Sequence, residues 1–221
     1  MKRAIALGTF DGVHIGHRAI INAAIDKAAE LDMEPMIYTF TAHPMALFGK
    51  QPPLLMTQSE RMAALGGMGC TLSADEFSAE YAATEPEQFI KMLIERFNMG
   101  CAVAGFNYTF GRRGEGSVEL IKKLGEKYGF AVEIVPPVMY KGEAVSSTRI
   151  RACLEAGRVK DAGEMLGAPY SITGPVIRNR GIGRTLDYPT ANIAGWEDRA
   201  VPMALAEMAP SVTSSTCLFS T

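Results

Sequence analysis

The chain has 221 residues, of which 48% are apolar, and its formal net charge at pH 7 is −2. This length is enough for one large domain, or for one domain and part of another, with a packed core. The near-neutral charge excludes the broad basic surface that nucleic-acid binding requires, and the apolar run after the first three residues is too short for a secretory signal or a membrane span. We therefore expect a cytoplasmic protein without nucleic-acid or membrane partners.

The first predicted elements are a buried strand, a glycine-containing turn and a helix. Residues 5–7 are an apolar run that ends at Gly8, and Ile20 begins a series of apolar residues at helical spacing. The unpaired N–H groups of a helix start bind anions, and glycines in the turn let a polyanion approach the main chain. His14 and His17 are three residues apart at this helix start, so both imidazoles can face one ligand. The pattern predicts a phosphate-binding site; the alternative is that a histidine at a helix start only caps or packs the helix.

The second predicted strand, residues 36–40, completes a strand–helix–strand unit with a parallel, right-handed crossover. Phe40, His43 and Pro44 lie at and just after the end of this strand, at the edge of the predicted sheet. These residues are candidates for a ligand site. For His43 the alternative is a structural role, in which its side chain fixes the loop through a backbone hydrogen bond.

The middle of the chain continues the alternation of helices and strands. Segment 45–56 contains glycine and two prolines and is predicted as a loop that covers a ligand. In segment 70–77 only the first three residues fit a strand, so we expect a short or irregular one. A helix begins at Pro86, and the strand at 101–104 ends in a loop with Asn107, where such folds bind ligands.

A second anion site is predicted after the strand at 131–135. Ser147 and Thr148 place hydroxyls at a helix start, and Arg151 brings a guanidinium one turn later on the same face. A short helix over 158–166 then closes the first domain.

These motifs carry a family resemblance. The string at 8–17, GTFDGVHIGH, resembles the bacterial bifunctional riboflavin kinase/FAD synthetase family, and HIGH resembles the HxGH signature of the nucleotidylyltransferase superfamily. The segments TFTAHP, GFNYTFG and SSTRIR are similar to three further motifs of that family, in the expected order. Thr41 and Ala42 depart from its usual acidic residue and proline.

The resemblance implies an α/β fold, with a Rossmann-like nucleotidylyltransferase domain built on a parallel sheet over residues 1–168. It implies FAD synthetase activity: AMP passes from ATP to FMN, which gives FAD and pyrophosphate, with Mg²⁺ bridging phosphate oxygens. The resemblance assigns catalysis to His14, His17 and Arg151. The predicted ATP contacts are Gly8, Phe10, Asp11, Gly16, Ser147 and Thr148, and the predicted FMN contacts are Phe40, His43, Pro44 and Asn107.

Residues 169–221 resemble the beginning of the family's riboflavin kinase barrel. The PTAN string includes Thr190 and Asn192, which the resemblance assigns to metal and nucleotide phosphates. After about residue 201 the tail lacks the alternation typical of strands. We therefore expect an incomplete β-barrel remnant, from a truncated or frameshifted reading, and no riboflavin kinase activity.

Three other functions compete with this prediction. The HxGH residues could adenylylate another small phosphate, although the segments around His43 and Asn107 favour a flavin. The chain could also be a flavin- or nucleotide-binding remnant without catalysis. A class I aminoacyl-tRNA synthetase carries similar histidines, but this chain is short and acidic and lacks a Lys-rich second motif. The sequence leaves the oligomeric state and protein ligands for a metal open.

Overall fold

The computed structural model describes residues 1–177, 192–195, 198–202, 210–213 and 216–219. The chain divides into two compact units. The first comprises Met1–Pro52 and Gln58–Val145, and the second comprises Pro53–Thr57 and Ser146–Thr221. Within the described residues, no helix combines the length and the apolar character needed to cross a membrane.

The first unit is built on a five-stranded parallel sheet with the order β3-β2-β1-β4-β5. Its strands are β1 (Arg3–Leu7), β2 (Glu34–Phe40), β3 (Thr71–Asp75), β4 (Met99–Gly105) and β5 (Ala131–Val135). The order reverses between β1 and β4, and open sheets of this kind bind ligands beside such a reversal, at the carboxyl ends of the strands. The predicted α/β fold with a parallel sheet is confirmed.

Helices connect these strands. They are α1 (Ile15–Glu30), α2 (Gln58–Gly66), α3 (Ala79–Ala82), α4 (Pro86–Phe97) and α5 (Val118–Tyr128), with 3₁₀ turns at Pro44–Phe48 and Arg112–Gly114. A hairpin of β6 (Met139–Tyr140) and β7 (Glu143–Ala144) follows β5. The apolar faces of α4 and α5 pack against the sheet, in a core that includes Ile5, Leu7, Ile90, Leu93, Ala102 and Ile121.

One expectation about the strands of the first unit is wrong. The strand expected to be short or irregular is β3, which has five residues and pairs with β2 in unbroken register from Met36↔Thr71 to Phe40↔Asp75. The buried neighbour β2 supplies the hydrogen-bonding edge, and this tertiary context outweighs the low strand propensity of Ala74. Segment 45–56 begins with a 3₁₀ turn and contains no further helix or strand; that it covers a ligand stays a prediction.

The second unit begins with α6 (Ser147–Glu155) and α7 (Val159–Leu166). Strands β8 (Tyr170–Thr173), β11 (Pro210–Thr213) and β12 (Thr216–Phe219) form an antiparallel sheet with the order β11-β12-β8, and β9 (Val176–Ile177) pairs with β10 (Asn192–Ile193).

The expectation that the tail after residue 201 lacks strands is therefore wrong. Its last residues include valine, threonine, leucine and phenylalanine, which favour strands. The barrel remnant and the functional boundary at residue 168 stay predictions. Of the remnant kinase motif, Thr190 lies outside the described residues, and Asn192 begins β10.

Candidate active site

A strained turn joins the end of β1 to α1. Phe10 and Val13 have φ angles of 52° and 40°, and Gly12 has a φ of 81°. The left-handed region is costly for residues with a side chain, most of all for a β-branched valine, and such conformations cluster at ligand sites. Arg18 donates a hydrogen bond from Nε to the carbonyl of Val13 at 3.1 Å. The fold thus holds the backbone of this turn in one unusual shape at the carboxyl edge of the sheet.

The two predicted catalytic histidines stack on each other at the start of α1. The ring centroids of His14 and His17 lie 3.5 Å apart, with 15° between the ring planes. His14 is the N-cap of the helix, because its Nδ1 accepts a hydrogen bond from the backbone N–H of His17 at 3.2 Å. The ring of Phe10 meets that of His17 edge-on at 5.4 Å.

Both imidazoles are held neutral. Burial lowers the pKa of His14 from 6.5 to about 4. Burial also lowers the pKa of His17 well below 6.5, helped by the neighbouring His14 and Arg61. Nδ1 of His14 already accepts a bond, so a neutral His14 carries its proton on Nε2 and can donate only from there. Nδ1 of His17 is buried without a hydrogen-bond partner, and such a group commonly marks a functional position.

Two glycines of the motif make room for side chains of the same turn. A Cβ on Gly8 would lie 3.0 Å from the ring of Phe10, and one on Gly16 would lie 3.2 Å from the imidazole of His14. Asp11 is buried in the same turn, with 5% of its surface exposed. Gly8, Phe10, Asp11 and Gly16, predicted as ATP contacts, therefore lie together with the histidines, where they shape the turn.

A cavity of about 760 Å³ opens beside this turn, within the first unit. Gly8 and Thr9 form part of its wall. Aromatic side chains from the end of β2 and from the segments that follow β2, β3 and β4 form much of its remaining lining: Phe40, Phe48, Phe77, Tyr81, Tyr108 and Phe110. The volume is typical of a site for a small molecule, and its aromatic walls suit a flat ring system.

The predicted FMN residues are divided between this wall and its margin. Phe40, His43 and Pro44 line the cavity. His43 also accepts a hydrogen bond from the N–H of Met45 at 3.2 Å through Nδ1, so the structural role considered for it is present as well. The loop of Asn107 contributes Tyr108 to the wall, while Asn107 itself is exposed and its Oδ1 lies toward Gly105.

The predicted second anion site belongs to the second unit. Ser147 and Thr148 are the first two residues of α6. The N-cap is Ser146, whose Oγ accepts a hydrogen bond from the N–H of Arg149 at 3.2 Å. Arg151 donates from Nε to the carbonyl of Pro53 at 2.6 Å. The spacing predicted from the sequence is therefore present on this helix.

The sequence reasoning missed Arg61, on α2. Its guanidinium is buried and donates hydrogen bonds to the loops that follow β1 and β2. The only signal in the sequence was spacing: Arg61 stands four residues before the apolar Leu65, on one face of a helix. An arginine on the apolar face of a helix indicates a specific buried partner.

The described residues contain no group of three or more His, Cys, Asp and Glu side chains that could hold a metal ion. For the adenylyltransferase site, no protein ligand for a metal was predicted from the sequence. Mg²⁺ commonly binds through substrate phosphates, as part of the nucleotide complex.

Comparison with known proteins identifies relatives with two activities in their names. A bifunctional riboflavin kinase/FMN adenylyltransferase of Listeria monocytogenes is 31% identical over 206 residues, which are 91% of this chain and 65% of the relative. The protein of the same name from Bacillus subtilis is 36% identical over 87% of this chain and 62% of the relative. The chain thus spans slightly less than two thirds of these relatives.

A solved structure has a similar fold. A crystal structure from Streptococcus pneumoniae, described as a macrolide-efflux protein, matches with a TM-score of 0.81 and 29% identity, over 99% of this chain and 78% of that one. A riboflavin kinase family model matches residues 166–210. The FAD synthetase family model matches residues 1–149, which include the strained turn, both histidines and every residue that lines the cavity. The chain therefore belongs to the FAD synthetase family.

Proposed function

We propose that this chain is an FMN adenylyltransferase, which transfers AMP from ATP to FMN and releases FAD and pyrophosphate. Membership of the FAD synthetase family and the names of the relatives support the reaction. The proposal depends on one observation: the cavity and the histidines belong to the same turn. One turn forms part of the aromatic cavity at Gly8 and Thr9 and, five residues later, presents the stacked histidines at a helix start.

This arrangement matches the two parts of the reaction. The aromatic cavity suits the flat ring of a flavin, while the helix start and its imidazoles suit phosphates. A phosphate oxygen of FMN attacks the α-phosphorus of ATP in line, and the bond to pyrophosphate breaks. This reaction needs no covalent intermediate on the protein, so catalysis is positioning and charge stabilisation. ATP enters as its Mg²⁺ complex.

The histidines act as neutral hydrogen-bond donors in this proposal. His14 donates from Nε2, since its Nδ1 is occupied by the cap. Donors placed where negative charge grows in the transition state are worth more in a buried site than in water. Ser147, Thr148 and Arg151 are proposed to bind the β- and γ-phosphates, because hydroxyls at a helix start and a guanidinium suit that charge.

The test is FAD formation. The chain is incubated with FMN, ATP and Mg²⁺, and the flavins are separated by chromatography. We expect FAD from the unaltered chain and a turnover about two to three orders of magnitude lower from His17→Ala, with an unchanged circular dichroism spectrum. A folded His17→Ala chain of unaltered activity would remove this histidine from the site. Absence of FAD from the unaltered chain would favour the non-catalytic alternative.

A second incubation, with riboflavin and ATP but no FMN, tests the other activity in the relatives' names. We expect this 221-residue chain to form neither FMN nor FAD, because the sequence predicts only an incomplete β-barrel remnant after residue 168. Adding FMN to the same mixture should restore FAD formation. Any product that depends on riboflavin would contradict the expectation.

The remaining assignments stay predictions: a cytoplasmic location, ATP and FMN as partners, no nucleic-acid partner, and a functional boundary at residue 168.

A further inference from the structure

A buried arginine joins the loops that follow β1 and β2, next to the cavity. Arg61 is 7% exposed. Its Nη1 donates to the carbonyl of Thr9 at 2.8 Å and to Oγ1 of Thr39 at 3.1 Å. Its Nη2 donates to the carbonyls of Phe40 at 2.7 Å and Thr41 at 3.1 Å. One planar group thus fixes the end of β2 against the start of the turn that follows β1.

Stability alone does not call for an arginine at this position. Taking a guanidinium out of water is costly, and an apolar side chain of similar size often packs a core as well or better. Burial lowers the pKa of Arg61, while the charge of Asp11 opposes that shift. What the guanidinium provides beyond packing is geometry, because its donors lie in one rigid plane.

One of the loops that Arg61 connects leads to the histidines proposed for the phosphates, and the other leads to the wall of the cavity proposed for the flavin. Thr9 lines the cavity and begins the turn that ends at His14. Phe40 lines the cavity and leads to His43 in its wall. A displacement between these loops would move one substrate relative to the other, and transfer requires the reacting atoms to lie about 3–3.5 Å apart.

We propose that Arg61 is a positioning residue for adenylyl transfer, which holds the loops after β1 and β2 in the one relative position that brings the two substrates together. This inference rests on the proposed function.

Steady-state kinetics of Arg61→Met and Arg61→Lys test the inference. For Arg61→Met we expect kcat to fall about 100-fold, the loss typical of a misplacement of about 1 Å. The KM of FMN and that of ATP should each stay within about threefold, since the groups that bind each substrate remain. Arg61→Lys keeps the charge without the planar donors, so its kcat should stay at least about tenfold below that of the unaltered chain.

Arg3→Met is the matched control. Arg3 is half-buried, donates from Nη1 to the backbone carbonyl of Phe97 at 3.3 Å, and pairs through Nε with Glu34 at 3.3 Å. It lies at the first residue of β1, at the opposite end of the strand from the site. We expect this substitution to lower the melting temperature and leave kcat unchanged when the chain is folded.

The outcomes separate the two proposals. An unaltered chain that makes no FAD overturns the proposed function, and this inference with it. If the unaltered chain makes FAD, the inference alone is overturned by an Arg61→Lys chain with full kcat, or by a kcat loss in Arg61→Met no larger than in Arg3→Met. A rise in KM with kcat unchanged also overturns it. Should Arg61→Met fail to fold, Arg61→Lys decides.

Discussion

Replacement of His14 by asparagine separates two roles that one imidazole combines. Nδ1 of His14 caps α1 by accepting the N–H of His17, and Nε2 is left as the atom that can donate to a phosphate. The amide oxygen of asparagine is among the best N-cap acceptors. An asparagine therefore keeps the cap but provides no donor at the position of Nε2.

The two roles differ in magnitude. Loss of an N-cap costs about 1 kcal/mol, which lowers the melting temperature of a chain of this size by about 2–4 °C. Loss of one donor to the transition state costs about 100- to 1,000-fold in kcat, or about 3–4 kcal/mol. His14→Ala should show both effects, with some further loss of stability because the ring is buried. His14→Asn should show the same kinetic effect with a smaller loss of stability than His14→Ala, because it keeps the cap although it also removes the buried ring.

Thermal unfolding and FAD formation are measured on the same preparations. Ser117→Ala is the matched control, because Ser117 caps α5 in the same way, with Oγ accepting the N–H of Leu120 at 3.3 Å. It should lose about 1 kcal/mol of stability and keep its kcat. If His14→Asn turns over at the unaltered rate, His14 is a cap only, and the proposed donation to phosphate is refuted.

Three further predictions follow from other contacts. Because burial lowers the pKa of His14 from 6.5 to about 4, only the unfolded chain takes up this proton as the pH falls below 6.5. Between pH 7 and pH 5 this proton alone should therefore lower the free energy of unfolding by about 2 kcal/mol. Urea titration should find the total fall smaller by that amount in His14→Asn, where His17 still contributes. Arg151→Ala should weaken ATP binding about tenfold or more while FMN binding changes little; equal changes in the two dissociation constants would argue against its phosphate role. Gly111→Ala should lower the free energy of unfolding by about 1–3 kcal/mol, because Gly111 has a φ of 71° and a Cβ there would lie 2.7 Å from the backbone of Pro86. Gly129→Ala should lower it less, because Gly129 has a similar φ of 73° but nothing within 4 Å of the added Cβ. Equal losses in urea unfolding would contradict the steric argument.

The strands and helices with a clear apolar period could be predicted from the sequence. The strand predicted at 131–135 coincides with β5, and the helix predicted after Pro86 is α4. β3 could not be predicted well, because its pairing depends on the buried neighbour β2 rather than on its own side chains. The residues of a strand do not themselves show which strand will pair with it.

In the candidate site, too, some residues could be predicted from the sequence and others could not. A string of ten residues indicated the turn and both histidines, because they are adjacent along the chain. Arg61 lies more than forty residues away from them, and only the fold brings its guanidinium to the carbonyl of Thr9. A capping role for a histidine at this helix start could be considered from the sequence, and the structure assigns the cap to Nδ1 of His14.

The position of β1 in the sheet has a consequence for how the protein is made. β1 leaves the ribosome before the other four strands of its sheet, yet it lies at the centre of that sheet, between β2 and β4. One of its edges stays open until Gly105, the last residue of β4, has emerged, which takes several seconds at synthesis rates of about 5–20 residues per second. During that interval the unpaired backbone N–H and C=O groups at this edge of β1 are available to other chains. A nascent chain stalled before β4 has emerged should therefore aggregate or bind chaperones, whereas one stalled after α5 has emerged can already close the sheet on that side.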